Sequence, residues 1–150
     1  MYQRILVPVD GSPTSRRGLE EALRLAKALN ATLRLVHIVD ETVLTLSPDA
    51  ATATVPLIDQ FTEWGKQVIA EAKAVAERAS VRAEAVMYEN IAGRVADRIL
   101  QEAGKWPADL IVMGTHGRRG LRHVVLGSDA EAVVHAAKVP VLLVRSPEGS

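Results

Sequence analysis

The sequence predicts an α/β protein: a single domain built as a doubly wound, five-stranded parallel sheet with helices on both faces, a Rossmann-like arrangement. Three observations carry this reading. Short, almost wholly apolar runs alternate with longer segments of helical periodicity, the pattern of parallel strands joined by right-handed helical crossovers. The 150-residue length suits one core, so residues 1–150 read as one domain. Hydrophobic residues make up 48% of the chain but aromatics only 3%, so Ala, Val, Leu and Ile must fill the interior. Small and branched aliphatics of this kind suit helices packed on a sheet buried on both sides.

In chain order, Ile5-Leu6-Val7-Pro8-Val9 reads as a buried strand stopped by the turn formers Asp10-Gly11-Ser12-Pro13. A helix follows, with Leu19, Ala22, Leu23, Ala26 and Leu29 on one face. Leu33 to Val39 forms a second strand, and the Thr- and Ala-rich stretch from Asp40 to Pro56 reads as a loop. The spacing of Phe61, Val68, Ala72, Val75 and Ala79 predicts a helix over about 58–79. Val81 to Met87 alternates with polar residues, which predicts a third strand less buried than the others. A helix over about 92–103, the apolar strand Leu110–Met113, a glycine-rich loop to Gly127, a helix over about 129–137 and the strand Val141–Val144 complete the alternation. The closing Gly149-Ser150 has the composition of a cloning remnant and carries no weight here.

Composition narrows the function. Eighteen basic residues balance eighteen acidic ones, which offers no basic stripe for a phosphate backbone, so no nucleic-acid partner is expected. The absence of cysteine excludes disulfides, thiolate metal sites and a thiol nucleophile, and fits a reducing compartment. No apolar run is long enough for a leader or a membrane span, so the expectation is a cytoplasmic protein without a membrane partner.

The strongest local feature is Gly114-Thr115-His116-Gly117-Arg118-Arg119-Gly120, followed by Gly127-Ser128 at a helix start. Glycines after a strand let the backbone turn tightly and expose its N–H groups, and a helix N-terminus adds donors and partial positive charge. Together they suit a phosphate chain. The competing reading is structural: Ser128-Asp129-Ala130-Glu131 fits a capping box that any helix can use. Asp10, at the carboxyl end of the first strand, lies where open α/β sheets place ligands. If the chain winds outward over strands one to three and then returns, strands one and four become neighbours and the switch point falls between Asp10 and Gly114. A carboxylate there can accept ribose hydroxyls or hold a phosphate-bound metal; its bland alternative is an Asp-Gly turn.

The four histidines, His37, His116, His123 and His135, have no metal-ligand spacing; His116, inside the glycine loop, is placed to reach a phosphate, but the preferred reading is a solvent-facing loop side chain. The nucleophile elbow, the P-loop lysine motif and the dinucleotide fingerprint after the first strand are all missing from the sequence. An acyl hydrolase, a P-loop NTPase and a dinucleotide dehydrogenase are therefore poorly supported.

Gly114, Gly117, Gly127 and Ser128 keep the spacing Gly, two residues, Gly, nine residues, Gly-Ser, and on this motif the chain resembles the nucleotide-binding members of the universal stress protein family. The opening Ile5–Ser12, the second strand Leu35–Asp40 and the closing Val139–Val144 are similar to the family's first, second and last strands, so the likeness spans almost the whole chain. The resemblance implies a sheet order of 3-2-1-4-5. It also implies ATP, with Mg or Mn, as the bound cofactor. Carried across by position, Asp10 stands for the ribose or metal carboxylate, Pro8 and Val9 lie beside the nucleoside, and Ile38 lines the adenine pocket. Met113 and Gly114 border the site, Gly117 approaches the phosphates, and Gly127 with Ser128 cradles them. The sequence departs from the family at Asp129, where an apolar residue is usual, and at Glu89-Asn90-Ile91, which lacks the usual Gly and Pro.

Two functions remain open on this reading. One is an ATP-binding, nucleotide-dependent regulatory protein of the stress response, not an enzyme beyond slow ATP hydrolysis. The other is a dimeric interaction module of the same fold without useful nucleotide affinity. In either case the apolar fifth strand at the sheet edge predicts a homodimer.

Overall fold

The chain alternates strand and helix from end to end: β1 (Arg4–Pro8), α1 (Pro13–Leu29), β2 (Thr32–Asp40), α2 (Ala50–Arg78), β3 (Ala83–Asn90), α3 (Val95–Lys105), β4 (Leu110–Gly114), α4 (Ser128–Ala136) and β5 (Val141–Val144). This computed structural model describes residues 1–40, 50–90, 93–116 and 126–147. The five strands form one all-parallel sheet in the order β3-β2-β1-β4-β5, as the sequence reading expects.

Strand alternation divides the apolar side chains into two layers. Ile5, Val7, Val9, Leu33 and Leu35 face α1 and α2, where Leu19, Leu23, Val68 and Ala72 cover them. Leu6, Val36, Ile38, Ile111 and Met113 face α3 and α4, covered by Ala96, Ile99, Ala130 and Val133. Ile5, Leu6, Leu33, Leu35 and Ile111 are wholly buried, each contributing about 1.5–3 kcal/mol by leaving water.

The cap of α1 follows the local sequence. Ser12 is the N-cap and accepts from the Ser15 amide, Pro13 supplies a preset φ where no N–H is needed, and Asn30 closes the helix in the left-handed region at φ 54°. Gly18 lets the helix lie close over β4, since a Cβ there would stand 3.3 Å from the Gly114 nitrogen.

Four local expectations are corrected. The stretch read as a loop up to Pro56 is helical from Ala50, and residues 41–49 lie outside the described residues. Ala50, Ala51 and Ala53 have the highest helix propensity, and the buried face at Val68, Ala72 and Ala76 anchors a 29-residue helix that absorbs the single backbone bond Pro56 forfeits. β3 starts at Ala83, because Val81 is taken up closing α2 through its amide bond to the Ala76 carbonyl. α3 starts at Val95, following Gly93 at φ 90°, and ends at Lys105. α4 has no capping box. Gly127 is its N-cap, no side chain caps it, and Ser128 is already its first helical residue.

Candidate functional site

The sheet opens where its strand order reverses. β1 pairs with β4 only at Ile5–Leu110 and Leu6–Ile111. Against β2 it stays paired through Pro8–Val36, and the Val9 amide still donates to the Val36 carbonyl at 2.8 Å. Beyond Leu6 and Ile111, β1 and β4 form no further pairs, and the switch-point crevice of the sheet falls between Pro8–Asp10 and Met113–Gly114. Ligands of open α/β sheets bind in such a crevice, at the carboxyl ends of the strands.

Asp10, two residues beyond the end of β1, stands at this crevice and is half-buried. Its Oδ1 accepts from the Ser12 amide at 2.8 Å, and its own amide donates to Ser15 Oγ at 3.0 Å. One carboxylate oxygen thus builds the turn that the bland reading of Asp-Gly anticipates, with Gly11 at φ 81° completing it. Pro8, Ile38 and Met113 fall on the α3/α4 side of the sheet by strand alternation; Ile38 and Met113 are buried there. Val9 points the other way, into the α1/α2 layer.

The glycine loop leaves β4 through Gly114, Thr115 and His116 and returns at Leu126–Gly127. The Gly127 amide donates to the Thr115 carbonyl at 2.7 Å, so the loop's two stems are tied together. A Cβ on Gly127 would stand 3.0 Å from His116 Cα, so any other residue there would push the two stems apart by a few tenths of an ångström. Gly114 is tighter still: its Cβ would meet the Thr14 backbone at 2.8 Å. Ser128 and Asp129 are exposed in the first turn of α4, beside the N-terminal backbone amides that suit an anion. Gly117 lies outside the described residues, as do Arg118, Arg119, Gly120 and His123.

Two residues of the site, Thr14 and Ser15, escape the sequence reading, and a third, His116, is read differently. Thr14, at 2% exposure, donates its hydroxyl to the His116 carbonyl and so latches the start of α1 to the start of the loop. His116 is half-buried, with Nδ1 3.3 Å from Thr14 Oγ1, which corrects its reading as a solvent-facing side chain. Ser15 holds the Asp10 amide. The hydroxyl run Ser12-Pro13-Thr14-Ser15 after a strand-ending Asp is the signal that marks both.

Beneath the α3/α4 side lies a charged cluster. Glu102, 2% exposed, accepts from Arg34 Nη1 at 2.7 Å and from the Tyr88 hydroxyl at 2.5 Å. Arg34 also pairs with Glu84 and stacks 5.1 Å from the Trp106 ring centre. Burial pushes the Glu102 carboxyl up, but the bonds from Tyr88 and Arg34, with the charges of Arg34 and Lys105, outweigh it and hold the group below its ordinary range. The bond to Glu102, followed by burial and the Glu102 charge, raises the Tyr88 hydroxyl. Tyr88 is the register partner of Ile38, so the cluster braces the strand pair under the crevice.

Among the described residues, no group of three or more His, Cys, Asp or Glu stands together to hold a metal, and no helix is long and apolar enough to cross a membrane. Asp10 brings a single carboxylate, whose Oδ1 accepts from the Ser12 amide. That fits a Mg or Mn ion that arrives on phosphates and takes one protein oxygen, and does not fit a metal held by the protein alone.

Comparison with known proteins places the arrangement in context. The model of the universal stress protein family matches residues 1–145. Universal stress protein MJ0531 of Methanocaldococcus jannaschii is 35% identical over 149 residues, covering 99% of this chain and 85% of that protein. A solved universal stress family protein of Burkholderia pseudomallei is 34% identical with a TM-score of 0.76, covering 97% of each chain. A universal stress protein solved in complex with cAMP is 26% identical with a TM-score of 0.69, covering 97% of this chain and 98% of that one.

Proposed function

The chain belongs to the universal stress protein family, and on that premise we propose that it binds ATP with Mg or Mn in the β1/β4 crevice, as a nucleotide-dependent regulatory protein rather than an enzyme of rapid turnover. The observation that carries the reading is the crevice itself: β1 and β4 form no pairs beyond Leu6 and Ile111, with the Asp10 turn on one lip and the stems of the glycine loop, leading into α4, on the other. In this reading the base lies toward Ile38 and Met113 on the α3/α4 side. The ribose meets Pro8 and Asp10, and the phosphates meet the Gly127–Ser128 amides and Gly117. The bound metal neutralises phosphate charge, with Asp10 supplying at most one oxygen. The similar protein solved with cAMP supports an adenine base as the ligand class.

The second reading, an interaction module with the same fold, is favoured by one observation: Asp10 Oδ1 and Ser15 Oγ are already satisfied within the turn. Calorimetric titration with ATP, with and without Mg, separates the two. Saturable binding that requires the nucleotide, and no uptake of Mn in its absence, supports the first; wild-type protein silent to ATP and Mg together establishes the second.

A further inference from the structure

His37 is a buried imidazole that neither the crevice nor the glycine loop uses. It lies on β2, 7% exposed, on the α1/α2 side of the sheet, opposite the face assigned to the base. Its Nδ1 is 2.7 Å from the Val9 carbonyl oxygen. A carbonyl only accepts, so Nδ1 carries the proton in this contact. Val9 is one residue beyond the last β1–β2 pair, Pro8–Val36, where the chain begins to leave the sheet. The carbonyl His37 takes belongs to the Val9–Asp10 peptide, and the amide of that same peptide donates to Ser15 Oγ at 3.0 Å. The peptide plane leading into Asp10 is therefore pinned from two sides, by a β2 side chain and an α1 side chain.

A third element closes the arrangement. Gly65 of α2 lies directly over the ring: a Cβ there would stand 2.7 Å from His37 Cδ2 and 3.0 Å from Nε2 and from Met87 Sδ. Only glycine lets α2 pack against the imidazole and hold it in the orientation that reaches Val9. We infer that His37 is the positioning residue that sets the Asp10 carboxylate for the nucleotide, with Gly65 as the gap through which α2 locks its ring. This rests on the nucleotide reading of the crevice. Its geometric half, the pinned Val9–Asp10 peptide, stands apart from any ligand.

The test compares wild type, His37→Leu and His37→Asn, since the Asn amide nitrogen occupies the position of Nδ1 and can restore the donor. Two readouts are taken: amide hydrogen exchange at Asp10, Gly11 and Ser12 without ligand, and the Kd for Mg-ATP. In His37→Leu, exchange at these amides accelerates about tenfold or more as the turn opens locally. Mg-ATP affinity falls roughly five- to thirtyfold, the factor for one lost buried hydrogen bond. His37→Asn recovers most of both. A His37→Leu protein with a lower Tm but unchanged exchange and Kd would make His37 a core residue only and overturn the inference. So would failure of His37→Asn to recover either. If wild type does not bind Mg-ATP, the proposed function fails while the exchange comparison still decides the role of His37 in the turn. Should the Leu variant not fold, nitrogen-15 shifts of the wild-type imidazole decide: a protonated Nδ1 supports the contact, and an Nδ1 without a proton refutes it.

Discussion

Replacing Gly114 by Ala separates two explanations for the glycine that opens the loop. If Gly114 serves only the approach of a phosphate, the substitution leaves the ligand-free protein as stable as wild type. The geometry argues otherwise. A Cβ at 114 would stand 2.8 Å from the Thr14 carbonyl carbon and 2.9 Å from both the Thr14 oxygen and Cβ, against backbone that cannot rotate away. The end of β4 and the start of α1 must then part, disturbing the Thr14 hydroxyl bond to the His116 carbonyl. Overpacking of this kind costs about 1–3 kcal/mol. For a domain of this size each kcal/mol lowers Tm by about 2–4 °C, so the expected loss is roughly 2–12 °C. Gly104, in the last turn of α3, is the matched control: a Cβ there meets nothing within 4 Å. Gly104→Ala should raise stability by about 0.4–1 kcal/mol through the unfolded chain. Differential scanning calorimetry of both variants without nucleotide is the assay. A Gly114→Ala protein that melts with the wild type refutes the close-approach argument and returns Gly114 to the phosphate reading alone.

Three other expectations rest on separate parts of the molecule. The Glu102 carboxyl is held below its ordinary range, so its contribution to stability is complete above the unfolded value of about 4.3 and disappears as pH falls through the lower folded value. Glu102→Gln should cost about 1–3 kcal/mol at pH 7, because its partners Arg34 and Tyr88 lose a charged acceptor. It should also flatten the acid limb of a urea-unfolding series from pH 6 to pH 3; an unchanged slope would show that the cluster does not titrate with folding. Asp129 is exposed in the first turn of α4, so Asp129→Val should change ATP affinity by less than about tenfold, or 1.4 kcal/mol; a larger gain would place its charge against the phosphates. Finally, β5 is the sheet edge, and Pro140 and Val144 direct their carbonyls to β4, so by alternation Val141 and Leu143 direct their N–H groups outward. If two such edges pair in a homodimer, Leu143→Pro removes an outward donor and should shift the mass in light scattering toward monomer. Wild-type protein of monomer mass at micromolar concentration excludes the dimer.

The architecture was largely legible because each strand is a short apolar run and each crossover keeps a helical face. Ile5–Val9, Leu33–Val39 and Leu110–Met113 could hardly be anything but strands buried on both sides. The order of the sheet was legible only through resemblance, since alternation alone does not say on which side β4 is laid. Boundaries failed where local chemistry is ambiguous. Pro56 reads as a stop, yet the alanines before it and the long buried face after it keep the helix going. Ser128-Asp129-Ala130-Glu131 fits a capping box, yet the bond between the Gly127 amide and the Thr115 carbonyl starts the helix one residue earlier. In the site, glycine spacing announces a tight loop but not its cause. Gly114 is demanded by protein backbone and Gly127 is favoured by it, a fact invisible until Thr14 and His116 are in place. Glu102 reads as an ordinary helical acid, because its partner Arg34 lies 68 residues away.

The two-residue period of a strand explains how this site is divided between the layers of the fold. At the end of β1, Pro8 falls on the α3/α4 side and Val9 on the other; at the end of β2, Ile38 faces α3/α4 and His37 faces α2. Residues that would touch a nucleotide and residues that set the backbone beneath it are thus sequence neighbours on opposite faces. Substitutions in α1 or α2 need not reach the crevice to alter it. Ser15 from α1 and the ring seated under Gly65 of α2 both act on the Val9–Asp10 peptide. The turn also meets α2 directly, since a Cβ on Gly11 would stand 3.1 Å from Trp64 and from Val68. The helix runs from Ala50 past Gly65 to Arg78. Binding that tightens the Asp10 turn would favour the seated arrangement of α2, and by linkage anything that lifts α2 would weaken the ligand by the same factor. A single α/β domain can in this way couple occupancy of its crevice to an outer surface.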